Sequence, residues 1–332
     1  MARLIRGARW PAALVAAGAV TYWLAPSSAR SGATVRVLQH ANWWWLPAIV
    51  VAGVLTHAMA ALALTAAAHR PAVDRRLRYR DTFLAQFAAT AVNRVTPAGV
   101  GAMAVNVRYL TRTGATTTEA ATAVGLASTA GFVVHTGALA LVAPMLGRGV
   151  LGGLAGGLVG GLGEAADFDG PWPLMAGTGV TAVTAMAASA PWWRRWGRWL
   201  AGRFGPYLRS VHSDLTSLLA SPARAAMLCG GLVGISLAHA AGLAFALAAV
   251  GASTGFGTVL VVYLTGAAIG SASPTPSGIG PLEAALAAGL AAGGTPGATA
   301  LAGVLLYRLV TFWLPVVPGG LAFHWLRRAG SL

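Results

Sequence analysis

The sequence predicts an all-α, polytopic transmembrane bundle built as an inverted repeat with two re-entrant helical hairpins. Three observations carry this. Of 332 residues, 56% are hydrophobic and 9% charged, whereas soluble domains carry roughly 25% charged residues. The apolar residues form long blocks, with a mean hydropathy of +0.67, each approaching the roughly 20 residues that take a helix across a ~30 Å hydrocarbon core. A proline–glycine motif at 96–101 recurs at 275–280, an offset of 179 residues.

Full spans are expected at about 8–26, 42–68, 119–147, 172–190, 223–250 and 297–324. Helices are the expected form, because in hydrocarbon a segment must satisfy its own backbone hydrogen bonds, and the short alternating segments of a barrel are absent. Two further apolar stretches, 82–109 and 256–294, are broken centrally by proline and glycine and read as hairpins. The chain is then one integral membrane domain over 1–332. Residues 1–41 hold a first helix and outer loop, and 42–147 the first repeat with hairpin 82–109. A connector over 148–220 carries helix 172–190 and a basic interfacial segment, 192–212. The second repeat, 221–326, contains hairpin 256–294. The first block reads as a retained helix, with a cleaved signal peptide as the alternative. The glycine-rich stretch 148–163 reads equally as helix extension, close-packing segment or loop.

Arginine sets the orientation. All 23 basic residues are arginines. With the N-terminus cytoplasmic and both hairpins returning to the side they entered, 18 of the 23 fall inside. Arg30, Arg36 and Arg148 fall outside, and Arg94 and Arg308 lie within the membrane. The positive-inside rule favours this arrangement, with both termini cytoplasmic. The net charge of +15 is therefore topological, and no nucleic-acid partner is implied. Trp192, Trp193, Trp196 and Trp199 beside the arginines of 194–209 mark an amphipathic helix on the inner leaflet, with an anionic-lipid or partner site as the alternative. The single cysteine, Cys229, excludes an intramolecular disulfide.

The repeated motif reads Thr96-Pro97-Ala98-Gly99-Val100-Gly101 and Thr275-Pro276-Ser277-Gly278-Ile279-Gly280. The same offset carries spans 42–68 and 119–147 to 221–247 and 298–326, close to the expected 223–250 and 297–324. With the arginine orientation, equivalent spans run in opposite directions, an architecture that recurs in transporters with broken helices near the midplane. Proline stops a helix and glycine permits positive φ, so the motif reverses the chain. The freed backbone groups serve either as a buried structural turn or as an anion site at a half-helix N-terminus.

Three ionisable residues are expected at membrane depth: Arg94, Glu283 and Arg308. Each costs at least ~2.5 kcal/mol at a helix centre on insertion scales, so such groups pair or face a cavity. Glu283 is expected to pair with Arg308 or Arg94, leaving one guanidinium for an anionic headgroup, for which its planar fork is suited. The alternative is a closed ion pair with a snorkelling arginine. Asn93 and Asn106 flank the first turn, where they read as caps of exposed backbone. His57, His135 and His239 read as hydrogen-bonded core residues. No metal or catalytic signature is present, and no cofactor is implied. The loop carrying Glu164, Asp167 and Asp169 reads as solvated.

The run Pro274-Thr275-Pro276-Ser277-Gly278-Ile279-Gly280-Pro281-Leu282-Glu283, followed by Arg308 and Pro315, resembles the flippase-like transmembrane domain of lysylphosphatidylglycerol synthases and their stand-alone relatives. So do Asn93, Pro97, Gly99 and Gly101 with Tyr109-Leu110-Thr111-Arg112-Thr113-Gly114. The resemblance covers about 40–326. It implies two hairpins, a lipid-sized cavity and headgroup movement between leaflets, without the soluble aminoacyl-transfer domain. Two positions depart from the family pattern. Ala102 stands where an acidic residue is usual, and Leu126-Ala127-Ser128-Thr129-Ala130 where a Glu-Arg pair is usual.

The expected function is a non-enzymatic lipid translocase of a bacterial plasma membrane. Its partners are phospholipids with an anionic or amino-modified headgroup, and an envelope-synthesis enzyme is a second partner class. The alternatives are a membrane enzyme acting on a lipid-linked sugar and a non-transporting scaffold. The expected substrate-contacting residues are Arg94, Glu283, Arg308, Asn93, Thr96, Pro97, Gly99, Gly101, Thr275, Pro276, Gly278 and Gly280.

Overall fold

A computed structural model describes residues 32–68, 77–94, 96, 100–142, 216, 218, 220–273 and 275–332. The expectations for 8–26, 148–163, 172–190 and 192–212, the acidic loop, and Pro97 and Gly99 lie outside these residues.

The described chain is helical throughout. A surface helix, α1 (Gly32–Gln39), leads through a 3-10 turn (Trp43–Trp45) into the long α2 (Leu46–Ala67). Asn42 caps the 3-10 turn, its Oδ1 accepting from the Trp44 N–H at 3.1 Å. Next come α3 (Tyr79–Asn93), α4 (Val100–Arg112) and α5 (Thr117–Val142). Thr116 and Glu119 open α5 by exchanging side-chain-to-backbone bonds, a capping box that satisfies two N-terminal donors. The second half is α6 (Pro222–Ala249), α7 (Phe256–Ala272), α8 (Pro281–Ala292), α9 (Gly297–Arg308) and α10 (Val316–Arg328). A five-residue π turn, Leu309–Trp313, joins α9 to α10. Trp43–Ala67, Thr117–Val142, Pro222–Ala249 and Gly297–Arg328 are each long and apolar enough to cross a membrane. They coincide with four of the six expected spans.

The 179-residue offset holds element by element. It carries α3 onto 258–272 within α7, α4 onto 279–291 beside α8, and α5 onto the α9–π–α10 run from 297. It also carries α2 onto 225–246 within α6. These two equivalent helices are antiparallel neighbours. The Asn42 N–H donates to the Ala249 carbonyl at 2.7 Å at one end, and Arg224 Nη2 to the Ala66 carbonyl at 3.3 Å at the other. Gly231 permits the contact, since a Cβ there would stand 2.8 Å from the Met59 carbonyl oxygen. Close backbone approach through small residues is how helices associate where the surrounding lipid is as apolar as they are.

Two cores result. One gathers Ile49, Leu243, Leu247, Val259, Val262, Leu286, Leu290 and Val304 from α2 and α6–α9. The other gathers Leu64, Ala85, Ala88, Tyr109, Leu110, Ala123 and Leu326 from α2–α5 and α10. The α3–α4 pair is fastened by Thr82 Oγ1 against the Tyr109 hydroxyl at 3.0 Å, and by Gln86 Nε2 donating to Asn106 Oδ1 at 3.2 Å. Asn106 is therefore a cross-helix acceptor and not the backbone cap expected of it. The histidines are hydrogen-bonded as expected, with His57 buried and His135 and His239 half-buried: His57 Nδ1 meets Thr56 Oγ1, His135 Nε2 the Leu264 carbonyl, and His239 Nδ1 the Tyr307 hydroxyl.

The second turn requires its glycines. Ser277, Gly278 and Gly280 have φ of 51°, 69° and 95°, and a Cβ on Gly278 would stand 2.8 Å from the Gly270 carbonyl oxygen. Gly278→Ala is expected to lower the thermal unfolding midpoint in detergent, since the strained backbone alone costs about 1–3 kcal/mol. Gly297→Ala meets nothing within 4 Å and should leave the midpoint unchanged. Equal midpoints for the two variants would contradict the turn geometry.

Candidate functional site

The two turns touch. Ser277 Oγ donates to the Asn93 carbonyl at 3.2 Å, joining the α7–α8 tip to the end of α3 across 184 residues of sequence. Both motif threonines stitch their own turns. Thr96 Oγ1 donates to the Val92 carbonyl at 3.2 Å and accepts from the Gly101 N–H at 3.0 Å. A Cβ on Gly101 would collide with that hydroxyl. Thr275 Oγ1 lies 2.9 Å from Ser273 Oγ, and the Gly278 N–H donates to the Thr275 carbonyl at 3.1 Å. Pro276 opens the short 3-10 turn Pro276–Gly278.

Glu283, in the first turn of α8, uses both carboxylate oxygens. Oε2 accepts the Gly280 N–H at 2.7 Å, closing the turn, and Oε1 accepts from Arg308 Nε at 2.5 Å. Both residues are buried, at 5% and 6% exposure. Of the two expected partners for Glu283, the structure places Arg308 there. A buried pair of this kind is weak evidence for stability in itself, but removing one partner leaves an uncompensated charge.

Arg94 has no such partner among the described residues. Its guanidinium carbon lies over the Phe312 ring, 3.7 Å from the centroid, and that of Arg308 lies over the same ring at 4.1 Å. The aromatic face attracts both cations but neutralises neither. Arg94 Nε and Arg308 Nη2 are buried without a hydrogen-bond partner, and so are Asn93 Oδ1 and His57 Nε2. Asn93 is thus no side-chain cap. The Thr56 hydroxyl donates to the Gly53 carbonyl at 2.7 Å, so it accepts from His57 Nδ1–H, which leaves Nε2 a bare acceptor. Arg94, Arg308 and Glu283 together carry one net positive charge. The site lies partway along the long helices, since Thr311 of the π turn packs against Gly53 of α2. An anionic group with its own donors would satisfy what the protein leaves open.

Two features here were not anticipated. Phe312 had a signal, since it follows Arg308 by four residues and so shares a helix face with it. The π turn that sets its position had none, because it depends on packing between the halves. Among the described residues no group of three or more His, Cys, Asp or Glu could hold a metal.

Long apolar helices packed around a buried ion pair define a multi-pass helical membrane protein. The chain matches the family described as the lysylphosphatidylglycerol synthase TM region over residues 10–319 and belongs to that family. It is accordingly an integral membrane protein of lipid biosynthesis or modification. No curated protein matches the chain.

Proposed function

We propose that the protein is a translocase that carries the headgroup of a phospholipid or lipid-linked precursor between the leaflets of a bacterial plasma membrane, with both termini cytoplasmic. The observation that carries this reading is the meeting of two broken helical hairpins beside a cation left uncompensated. Ser277 and Asn93 join the tips, and Arg94 has an open N–H there. A structural ion pair alone would need only Glu283 and Arg308.

The repeat supplies a route to alternating access. Equivalent antiparallel halves can exchange inward and outward arrangements with little energetic difference. Each core holds one hairpin, and the run from α9 to α10 passes from one core to the other through the π turn. Such turns interrupt the regular helical ladder and occur often at functional sites. In this reading the turn is the joint, and Arg94 and Arg308 hold a headgroup phosphate of anionic or amino-modified lipid while the halves rock around it. The two hairpins would enter the membrane and return to the same side.

The test is reconstitution in vesicles with fluorescent phospholipids, following their exposure to a membrane-impermeant quencher. Movement above protein-free vesicles is expected. Absence of movement for every anionic, zwitterionic and amino-modified headgroup tried would overturn the reading and favour a scaffold.

A further inference from the structure

A second polar feature stands apart from the hairpin tips, at the end of the bundle where α2 begins and α6 finishes. A cavity of about 490 Å³ opens there, lined by Arg36, Val37, His40 and Asn42 on one side and by residues 248–251 on the other. It is an open surface pocket, suited to one end of a ligand that stays partly exposed. Its polar side chains can donate. Arg36 and His40 are exposed, and neither side chain has a hydrogen-bond or ion-pair partner among the described residues. Asn42 commits its Oδ1 to the Trp44 N–H, which leaves its amide N–H groups for the cavity. Among the described residues no acidic one lines the cavity.

The opposite wall is the C-terminus of α6, which would normally repel an anion. Here its last carbonyls are occupied. Those of Ala246 and Leu247 accept from the Val250 N–H, that of Ala248 from the Gly251 N–H, and that of Ala249 from the Asn42 N–H. Gly251 takes a positive φ of 79° in this cap and has nothing within 4 Å on its Cβ side. The wall is therefore both capped and uncrowded.

Depth identifies the ligand. Trp43 and Trp44 are 52% and 90% exposed directly beside the cavity, and tryptophans gather at headgroup level in a bilayer. We infer that the Arg36–His40–Asn42 cavity is a receptor for the phosphate-bearing headgroup of an anionic phospholipid in the leaflet that Trp43–Trp45 contact. It is separate from the Arg94 site and does not require that lipid cross the membrane.

The test reads the cavity locally. Cys229, the single thiol, is replaced by serine, and Val37→Cys places a thiol in the wall. Its alkylation by a neutral, membrane-impermeant maleimide is followed in phosphatidylcholine vesicles with and without phosphatidylglycerol. Phosphatidylglycerol should slow the reaction about fivefold, the scale of one arginine–headgroup contact. Adding Arg36→Gln and His40→Gln should abolish that difference, each variant being compared with its own rate in phosphatidylcholine alone, because the Arg36 charge also sets how readily the neighbouring thiol ionises. Equal rates in both lipids with Arg36 present, or protection that survives the two substitutions, would overturn the assignment. Inorganic phosphate added to phosphatidylcholine vesicles should not protect; if it protects as well as phosphatidylglycerol, the cavity takes a free anion and the lipid assignment fails. No transport is measured, so this outcome is independent of the translocase test.

Discussion

Glu283→Gln is expected to destabilise the protein by about 3–5 kcal/mol, the usual consequence of stranding one member of a buried ion pair. The substitution is selective. A glutamine side-chain oxygen can still accept the Gly280 N–H that Glu283 now holds at 2.7 Å, so the turn keeps its closure and only the charge is lost. Arg308, 6% exposed, would then share the Phe312 ring with Arg94 and have no anion beside it. Thermal unfolding in detergent should show a lowered midpoint for Glu283→Gln and substantial recovery in Glu283→Gln with Arg308→Gln. A Glu283→Gln midpoint equal to that of the native protein would mean that the pair is not holding the second hairpin to α9.

Arg94→Ala should do the opposite: fold normally and slow lipid movement. Among the described residues Arg94 makes no hydrogen bond or ion pair, only the contact with Phe312. Its loss removes a cation from a site with one net positive charge, which relieves repulsion with Arg308. Hydrogen bonds to a charged group contribute about 1.5–3 kcal/mol, so losing them in the rate-determining arrangement should slow movement by about ten- to a hundredfold. Arg94→Lys keeps the charge and loses the planar fork, and should fall between the two. An Arg94→Ala variant that unfolds at the native midpoint and moves lipid at the native rate would remove Arg94 from the mechanism.

Much of this architecture is legible in the sequence, because a bilayer leaves few options. Block length gives the spans, and the offset between Thr96 and Thr275 gives the repeat. The antiparallel α2–α6 pair then follows from counting crossings. Glu283 and Arg308 are visible because isolated charges in apolar segments need partners, although choosing between Arg308 and Arg94 required the fold. What could not be read depends on contacts across the repeat. Asn106 looked like a cap beside the first turn, but it faces Gln86 one helix away. The π turn, the sharing of Phe312 by two arginines and the bond from Ser277 to Asn93 arise only when the halves meet. The Arg36 cavity joins residues about 210 positions apart in the chain, a juxtaposition with no local signal in either segment.

On the proposed reading, rocking of the halves parts the tips that Ser277 and Asn93 join. The most direct measurement joins them reversibly. With Cys229→Ser as background, Asn93→Cys and Ser277→Cys are bridged by a cleavable bifunctional thiol reagent, and lipid movement in vesicles is followed before bridging, after it, and after cleavage. Movement that stops on bridging and returns on cleavage is the predicted result. Movement at the same rate while the tips are held together would contradict the account.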